Sequence, residues 1–258
     1  MDMQDRPLLM VALNLTPDSF YAPSRVSSPD GTFAMRVKAL ARAGADILDL
    51  GAVSSRPGAS EVPLETEWER LEPALRVLSR HGLHGMRLSI DTTRAEVVRR
   101  ASMIVDSFIV NDISAGEDDA GMLGAVAALG LDYIAMHKRG GPRTMDAMTD
   151  YPEGIMDSLT EYFRSFSQKA ETAGIQNWIL DPGLGFAKTP EQNWEILLRL
   201  RELKRFGRPV LIGAADKRFT HSVPPEAARL FPDAADGTEV AESLAASRGA
   251  DILRVHRL

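Results

Sequence analysis

No cysteine occurs in the 258 residues, which excludes disulfides and thiolate metal sites and leaves the redox compartment open. There is no excess of basic residues either: 30 Lys and Arg stand against 36 Asp and Glu, a net charge of −6. A general nucleic-acid surface is thereby excluded, and any anion site has to be local. No apolar run approaches membrane-spanning length. The opening Met1-Asp-Met-Gln-Asp-Arg-Pro7 lacks the basic stretch and apolar core of an export signal. These absences lead to the expectation of a cytoplasmic enzyme with neither a nucleic-acid nor a membrane partner.

What is present is enough for a full core: 44% of residues are hydrophobic and 26% charged, ordinary for a globular protein. The length fits one (β/α)8 barrel or two small domains. Short apolar runs predict strands at 8–13, 46–50, 87–91, 107–111, 132–136, 177–181, 209–213 and 251–255. Helical patterns fall between them at 33–43, 64–80, 119–129, 153–173, 190–206 and 239–248, with one more starting at Thr92 or Thr93, either of which can cap it. Strict alternation without a dividing linker predicts one domain, residues 1–258, folded as an α/β (β/α)8 TIM barrel. Its last outer helix is missing, because the sequence ends three residues after the eighth strand. That flank is either bare or covered by something else, and a bare apolar flank would be a partner surface.

In such a barrel the chemistry lies at the C-terminal strand ends. Those positions hold Asn14, the Ser54-Ser55-Arg56 loop, Asp91, Asn111, His137, Asp181, Lys217, Arg254 and His256. Each has an ordinary explanation: Asn14 in a turn, Asp91 and Asn111 as caps, His137 as a satisfied buried imidazole, Arg254 and His256 as solvated tail residues. Collected on one face they suit a heteroaromatic ring, with Arg56, Lys217, Arg254 and His256 suited to a phosphate or diphosphate. The stretch Trp178-Ile-Leu-Asp-Pro-Gly-Leu-Gly-Phe-Ala-Lys188 presents Asp181 at a strand end followed by a glycine turn.

Several short pieces then carry a resemblance. They are Asn14-Leu-Thr-Pro-Asp-Ser-Phe20, Ser54-Ser-Arg-Pro-Gly58, Ser89-Ile-Asp-Thr92, Val110-Asn-Asp-Ile113, Met136-His137, Gly141-Pro-Arg-Thr-Met145, Leu180-Asp-Pro-Gly-Leu-Gly-Phe-Ala-Lys188 and Arg254-Val-His256. In this order they resemble the dihydropteroate synthase family of pterin-binding barrels, over nearly the whole length, with wording closest to its Bacteroides-type branch. The resemblance implies that 4-aminobenzoate displaces diphosphate from (7,8-dihydropterin-6-yl)methyl diphosphate, giving 7,8-dihydropteroate for folate synthesis. It implies catalytic roles for Asp91, Lys217 and Asp181, and pterin binding by these three with Asn111 and Met136. Asn14, Arg56, Arg254 and His256 would hold the diphosphate, with Asn14 also the metal position for a Mg2+ cofactor. Phe20, Ser55, Arg56, Pro57, Phe186, Lys188 and Arg218 would shape the aminobenzoate pocket. The loops at 16–31 and 52–63 are longer than plain connectors and would close over the substrates.

Two departures from the family stand out. The seventh-strand loop, Ser-Arg-Lys-Ser in the family, reads Ala215-Asp216-Lys217-Arg218 here. The absent last helix belongs to the usual dimer surface, so a homodimer is expected to be weakened. Two other readings therefore stay open: an altered or inactive pterin-binding paralogue acting as a binding or partner subunit, and a folate-dependent methyltransferase.

Overall fold

In the computed structural model, residues 6–15, 29–53, 62–141 and 144–258 are described. Eight strands alternate with helices along them. The strands are β1 (Leu8–Asn14), β2 (Ile47–Gly51), β3 (Arg87–Asp91), β4 (Ile109–Asp112), β5 (Asp132–Met136), β6 (Trp178–Asp181), β7 (Leu211–Ile212) and β8 (Ile252–Val255). The helices are α1 (Pro29–Arg42), α2 (Leu64–His81), α3 (Ala95–Ser102), α4 (Met122–Ala128), α5 (Ile155–Ala173), α6 (Pro190–Leu198), α7 (Pro225–Leu230) and α8 (Gly237–Ser247). All pairings are parallel in the order β6-β5-β4-β3-β2-β1-β8-β7. The two edge strands meet through a parallel bridge from Leu180 to Val210, with the Leu180 N–H donating to the Pro209 carbonyl at 2.9 Å. The result is a (β/α)8 TIM barrel.

Because side chains alternate along a strand, each strand has an inward and an outward set. Met10, Ile47, Ile109, Ile134, Ile179, Leu211 and Ile252 pack together as a separate buried cluster, the apolar plug of the barrel interior. The intervening residues, such as Val11, Leu48, Leu88, Val110, Tyr133, Leu180 and Leu253, belong to the larger core shared with the helices. One step of two residues from the plug toward the strand ends gives Asp49, Asn111, Met136, Asp181 and Arg254, so the interior turns polar on reaching the mouth. Register carries the same layer across β3, where Asp49 pairs with Ser89 and Gly51 with Asp91.

Several expectations change in detail. Neither Thr92 nor Thr93 caps α3. The Ala95 N–H instead donates to Asp119 Oδ2 at 2.8 Å, while the Thr92 hydroxyl donates to the buried Glu67 at 2.6 Å. The helix expected at 190–206 ends at Leu198 and continues as a 3-10 turn, Leu200–Phe206. Between β7 and α8, where no helical pattern is expected before 239, lie a 3-10 turn, Arg218–His221, and α7. Of the two alternatives for the flank beside β8, the covered one holds: Val11, Leu13, Leu253 and Val255 are all buried, in one core with Phe33, Val37, Val240 and Leu244.

Candidate active site at the strand ends

The centre of the mouth is built on Asp49, wholly buried and bearing a carboxylate that only accepts. Ser89 Oγ donates to its Oδ1 at 2.7 Å. Arg254 Nε donates to its Oδ2 at 2.7 Å, and Asn111 Nδ2 lies 3.4 and 3.3 Å from its two oxygens. Arg254 reaches further, its Nη2 donating to Asp91 Oδ2 at 3.1 Å. One guanidinium thus serves two carboxylates. Burial opposes the charge of Arg254, yet Asp49 and Asp91 outweigh it and hold the group protonated above its ordinary pKa. Asp91 is pushed up to about 7, first by burial, with Arg254 pulling it down and Asp49, Asp112 and Glu67 adding repulsion.

Across the barrel, Asp181 Oδ1 accepts from the Gly183 N–H at 2.7 Å. Its pKa is raised, burial being the main cause, opposed by Lys217. Lys217 comes in from the β7 loop. Its ammonium donates to the Leu184 carbonyl and sits 5.1 Å from the centre of the half-buried Phe186 ring. Burial lowers its pKa to about 8, with Asp181 working the other way. Gly183 is essential to this turn. Its φ is +67°, and a Cβ there would lie 2.1 Å from the His137 carbonyl oxygen.

Three acceptor oxygens remain open. Asn111 Oδ1, Asp91 Oδ1 and Asp181 Oδ2 have no hydrogen-bond partner among the described residues. Yet no buried side-chain oxygen or nitrogen there is unsatisfied, so all three are accessible to water or ligand. Asn14 Oδ1 and Asp91 Oδ2 each lie 3.6 Å from the point where a Cβ on Gly51 would sit. The absence of that side chain keeps a gap between them.

Two expected pocket residues are turned elsewhere. Lys188 is buried, and its ammonium is bound 3.0 Å from His137 Nδ1 and 2.9 Å from both the Gly183 and Phe186 carbonyls. It clamps its own loop instead of entering the mouth. Burial drives its pKa well down and that of His137 to about 2. The imidazole is also held by the edge of Tyr162, 4.8 Å between centres. Arg218 is 75% exposed, and its Nη2 pairs with Asp146 at 3.0 Å at the rim. His256 follows β8 and Met136 is buried at the end of β5. Phe20, Ser55, Arg56 and Pro57 lie outside the described residues, as does most of both long loops.

Asp49 was missed from the sequence because it stands two residues before the strand end, below the positions read for chemistry. The available signal was its register: it shares the inward phase of Ile47 and sits opposite Ser89.

The fold and the mouth together define a barrel enzyme that binds a polar ring compound at its strand ends, and the comparisons with known proteins give that class its family. The model of pterin binding enzymes matches residues 10–256. Dihydropteroate synthase of Synechocystis is 38% identical over 260 residues, covering 99% of this chain and 86% of the relative. The folic acid synthesis protein fol1 of Pneumocystis carinii is 40% identical over 254 residues, covering 96% of this chain but 34% of that protein, so the chain spans about a third of its length. Among solved structures, dihydropteroate synthase of Xanthomonas albilineans with 4-aminobenzoic acid superposes with a TM-score of 0.81 at 34% identity, covering 98% and 88% of the two chains. The Yersinia pestis dihydropteroate synthase in a sulfonamide drug complex gives 0.82 at 32%, covering 100% and 90%. The chain belongs to the pterin-binding enzymes and, within them, to the dihydropteroate synthases.

Proposed function

We propose that this chain joins (7,8-dihydropterin-6-yl)methyl diphosphate to 4-aminobenzoate, releasing diphosphate and 7,8-dihydropteroate. The observation that carries the reading is the set of open acceptors, Asn111 Oδ1, Asp91 Oδ1 and Asp181 Oδ2, on the inner wall of one mouth. A wall of acceptors selects a ligand edge made of donors, and the ring N–H and exocyclic amine of an aminopyrimidine supply them. Asp181 takes that edge, Asn111 shares it, and Met136 provides apolar contact. Arg254, with His256, Asn14 and Arg56, receives the diphosphate.

As the C–O bond breaks, positive charge develops on the pterin methylene. Asp91, in its ionised form, stabilises it without moving, an electrostatic contribution. The arylamine attacks that carbon, the electron pair of the C–O bond leaves with diphosphate, and the extra amine proton passes to solvent. No general base is needed for so weakly basic a nucleophile. Lys217 stays beside the pterin carbonyl, and Phe186 forms a wall for the aminobenzoate ring. Ser55, Pro57 and Phe20 would complete that wall.

Magnesium fits the donors. Asn14 Oδ1 and Asp91 Oδ2 each lie 3.6 Å from the Cβ position at Gly51; both are hard oxygens, and Asp91 Oδ2 also accepts from Arg254. No group of three or more His, Asp or Glu suited to a metal exists among the described residues, so water and diphosphate would complete the shell. When bound, the ion would neutralise the leaving diphosphate. No helix among the described residues is long and apolar enough to cross a membrane. The expected setting is cytoplasmic and the expected assembly a homodimer.

The second reading, a paralogue altered in aminobenzoate use, draws on Asp216 and the outward Arg218. Mixing both substrates with the protein, with and without Mg2+, and measuring dihydropteroate separates the two. Product formation supports the transferase. Bound pterin without product supports the paralogue.

A further inference from the structure

We infer that Asp49, which touches no substrate in this account, is the positioning residue that decides what the mouth recognises, by fixing the orientation of the Asn111 amide and the heading of Arg254. The inference rests on the pterin reading for its ligand but not for its geometry. A carboxamide has a donor end and an acceptor end of nearly the same shape, and its neighbours decide which way it turns. The end of Asn111 nearest Asp49 lies 3.3 and 3.4 Å from two carboxylate oxygens. An oxygen there would face two acceptors of like sign, whereas an NH2 faces two partners. Nδ2 is therefore committed to Asp49, and Oδ1 is the end left open.

Asp49 can impose this because it is itself immobile. It is fully buried, Ser89 pins its Oδ1 at 2.7 Å, and Arg254 pins its Oδ2 at the same distance. The same contact uses up Arg254 Nε, so the outer edge of the guanidinium is what reaches Asp91 and the anion. One buried charge thus sets an acceptor toward the ring and a cation toward the diphosphate. A neutral residue at 49 would leave the amide able to turn, and the wall would no longer be acceptor-only.

The test compares wild type with Asp49→Asn, using pterin and its 2-oxo analogue lumazine as probes, neither of which carries a diphosphate. Replacing the 2-amino group by oxygen turns a donor into an acceptor. Asp49→Asn is expected to reduce the preference for pterin over lumazine about tenfold, because Asn111 can then present its NH2. A purely structural role for Asp49 would weaken both probes alike. An unchanged ratio in a folded variant, checked by circular dichroism, overturns the inference. Neutron diffraction of the wild-type protein supplies an arm that needs neither a folded variant nor a bound pterin. Deuterium density on the Asn111 atom facing Asp49 supports the inference, and density on the opposite atom overturns it. If wild type binds neither probe, the pterin reading fails while the neutron result still decides the role of Asp49.

Discussion

At the residue scale, Asp91 and Lys217 carry opposite demands on the same mouth. Burial pushes Asp91 up to about 7 and Lys217 down to about 8. Stabilising a cation-like centre needs Asp91 ionised, so kcat/KM should rise as pH climbs through about 7. It should fall as Lys217 loses its proton through about 8. Lys217→Arg should abolish the alkaline limb, and a limb that persists in that variant would exclude Lys217 as its source. At the rim, the exposed pair of Arg218 and Asp146 is worth under about 1 kcal/mol. Arg218→Ser should accordingly leave the melting temperature nearly unchanged while lowering the aminobenzoate concentration needed for half-maximal turnover. Asp216 is different, for its φ is +56°. Asp tolerates that backbone better than Arg does, so restoring the family's arginine there should cost stability.

At the scale of elements, the turn after β6 is the piece on which the site hangs. The Gly183 N–H fixes Asp181, the Leu184 carbonyl receives Lys217, and Lys188 ties the Gly183 and Phe186 carbonyls to His137. Lys188→Met would strip buried acceptors of their donor and should cost about 2 kcal/mol or more, with pterin affinity falling as the turn loosens. Gly183→Ala should cost at least as much, since its Cβ has no room. Urea denaturation measures both, and a melt unchanged in either variant would show that the turn is not held this way. Much of this architecture was legible beforehand. Strand ends at Asp91, Asn111 and Asp181 follow from two-residue alternation and strand-to-turn punctuation, which are local. The inward turn of Lys188 was not legible, because it depends on β5 and β6 being neighbours. The 3-10 break after Leu198 was hidden as well: Leu200, Leu203 and Phe206 continue an apolar spacing that both helix types can bury.

At the scale of the whole molecule, stability and function pull on the same buried groups. His137 is neutral in the fold, its pKa lowered to about 2 by burial and by Lys188 and Arg139. A depressed histidine contributes stability that is fully present above its unfolded pKa, about 6.5. That contribution is lost as pH falls from there toward the folded value, because the unfolded chain takes up the proton. From pH 7.5 to pH 5 the loss from this one group is about 2 kcal/mol. The raised pKa of Asp91 acts in the opposite direction below about 7, so the comparison must be with His137→Gln. Wild type should lose more stability than that variant over this interval, and parallel pH profiles would refute the assignment.

On the proposed function, the acceptors left open on the barrel wall recognise the pterin. Titrating pterin diphosphate into wild type and Asp181→Ala by calorimetry, with Mg2+ present, tests it most directly. Wild type should bind, and the variant should bind more weakly by about 2–4 kcal/mol, since the donors of the ring edge would be buried without a partner. Equal affinity of the two proteins would contradict the account.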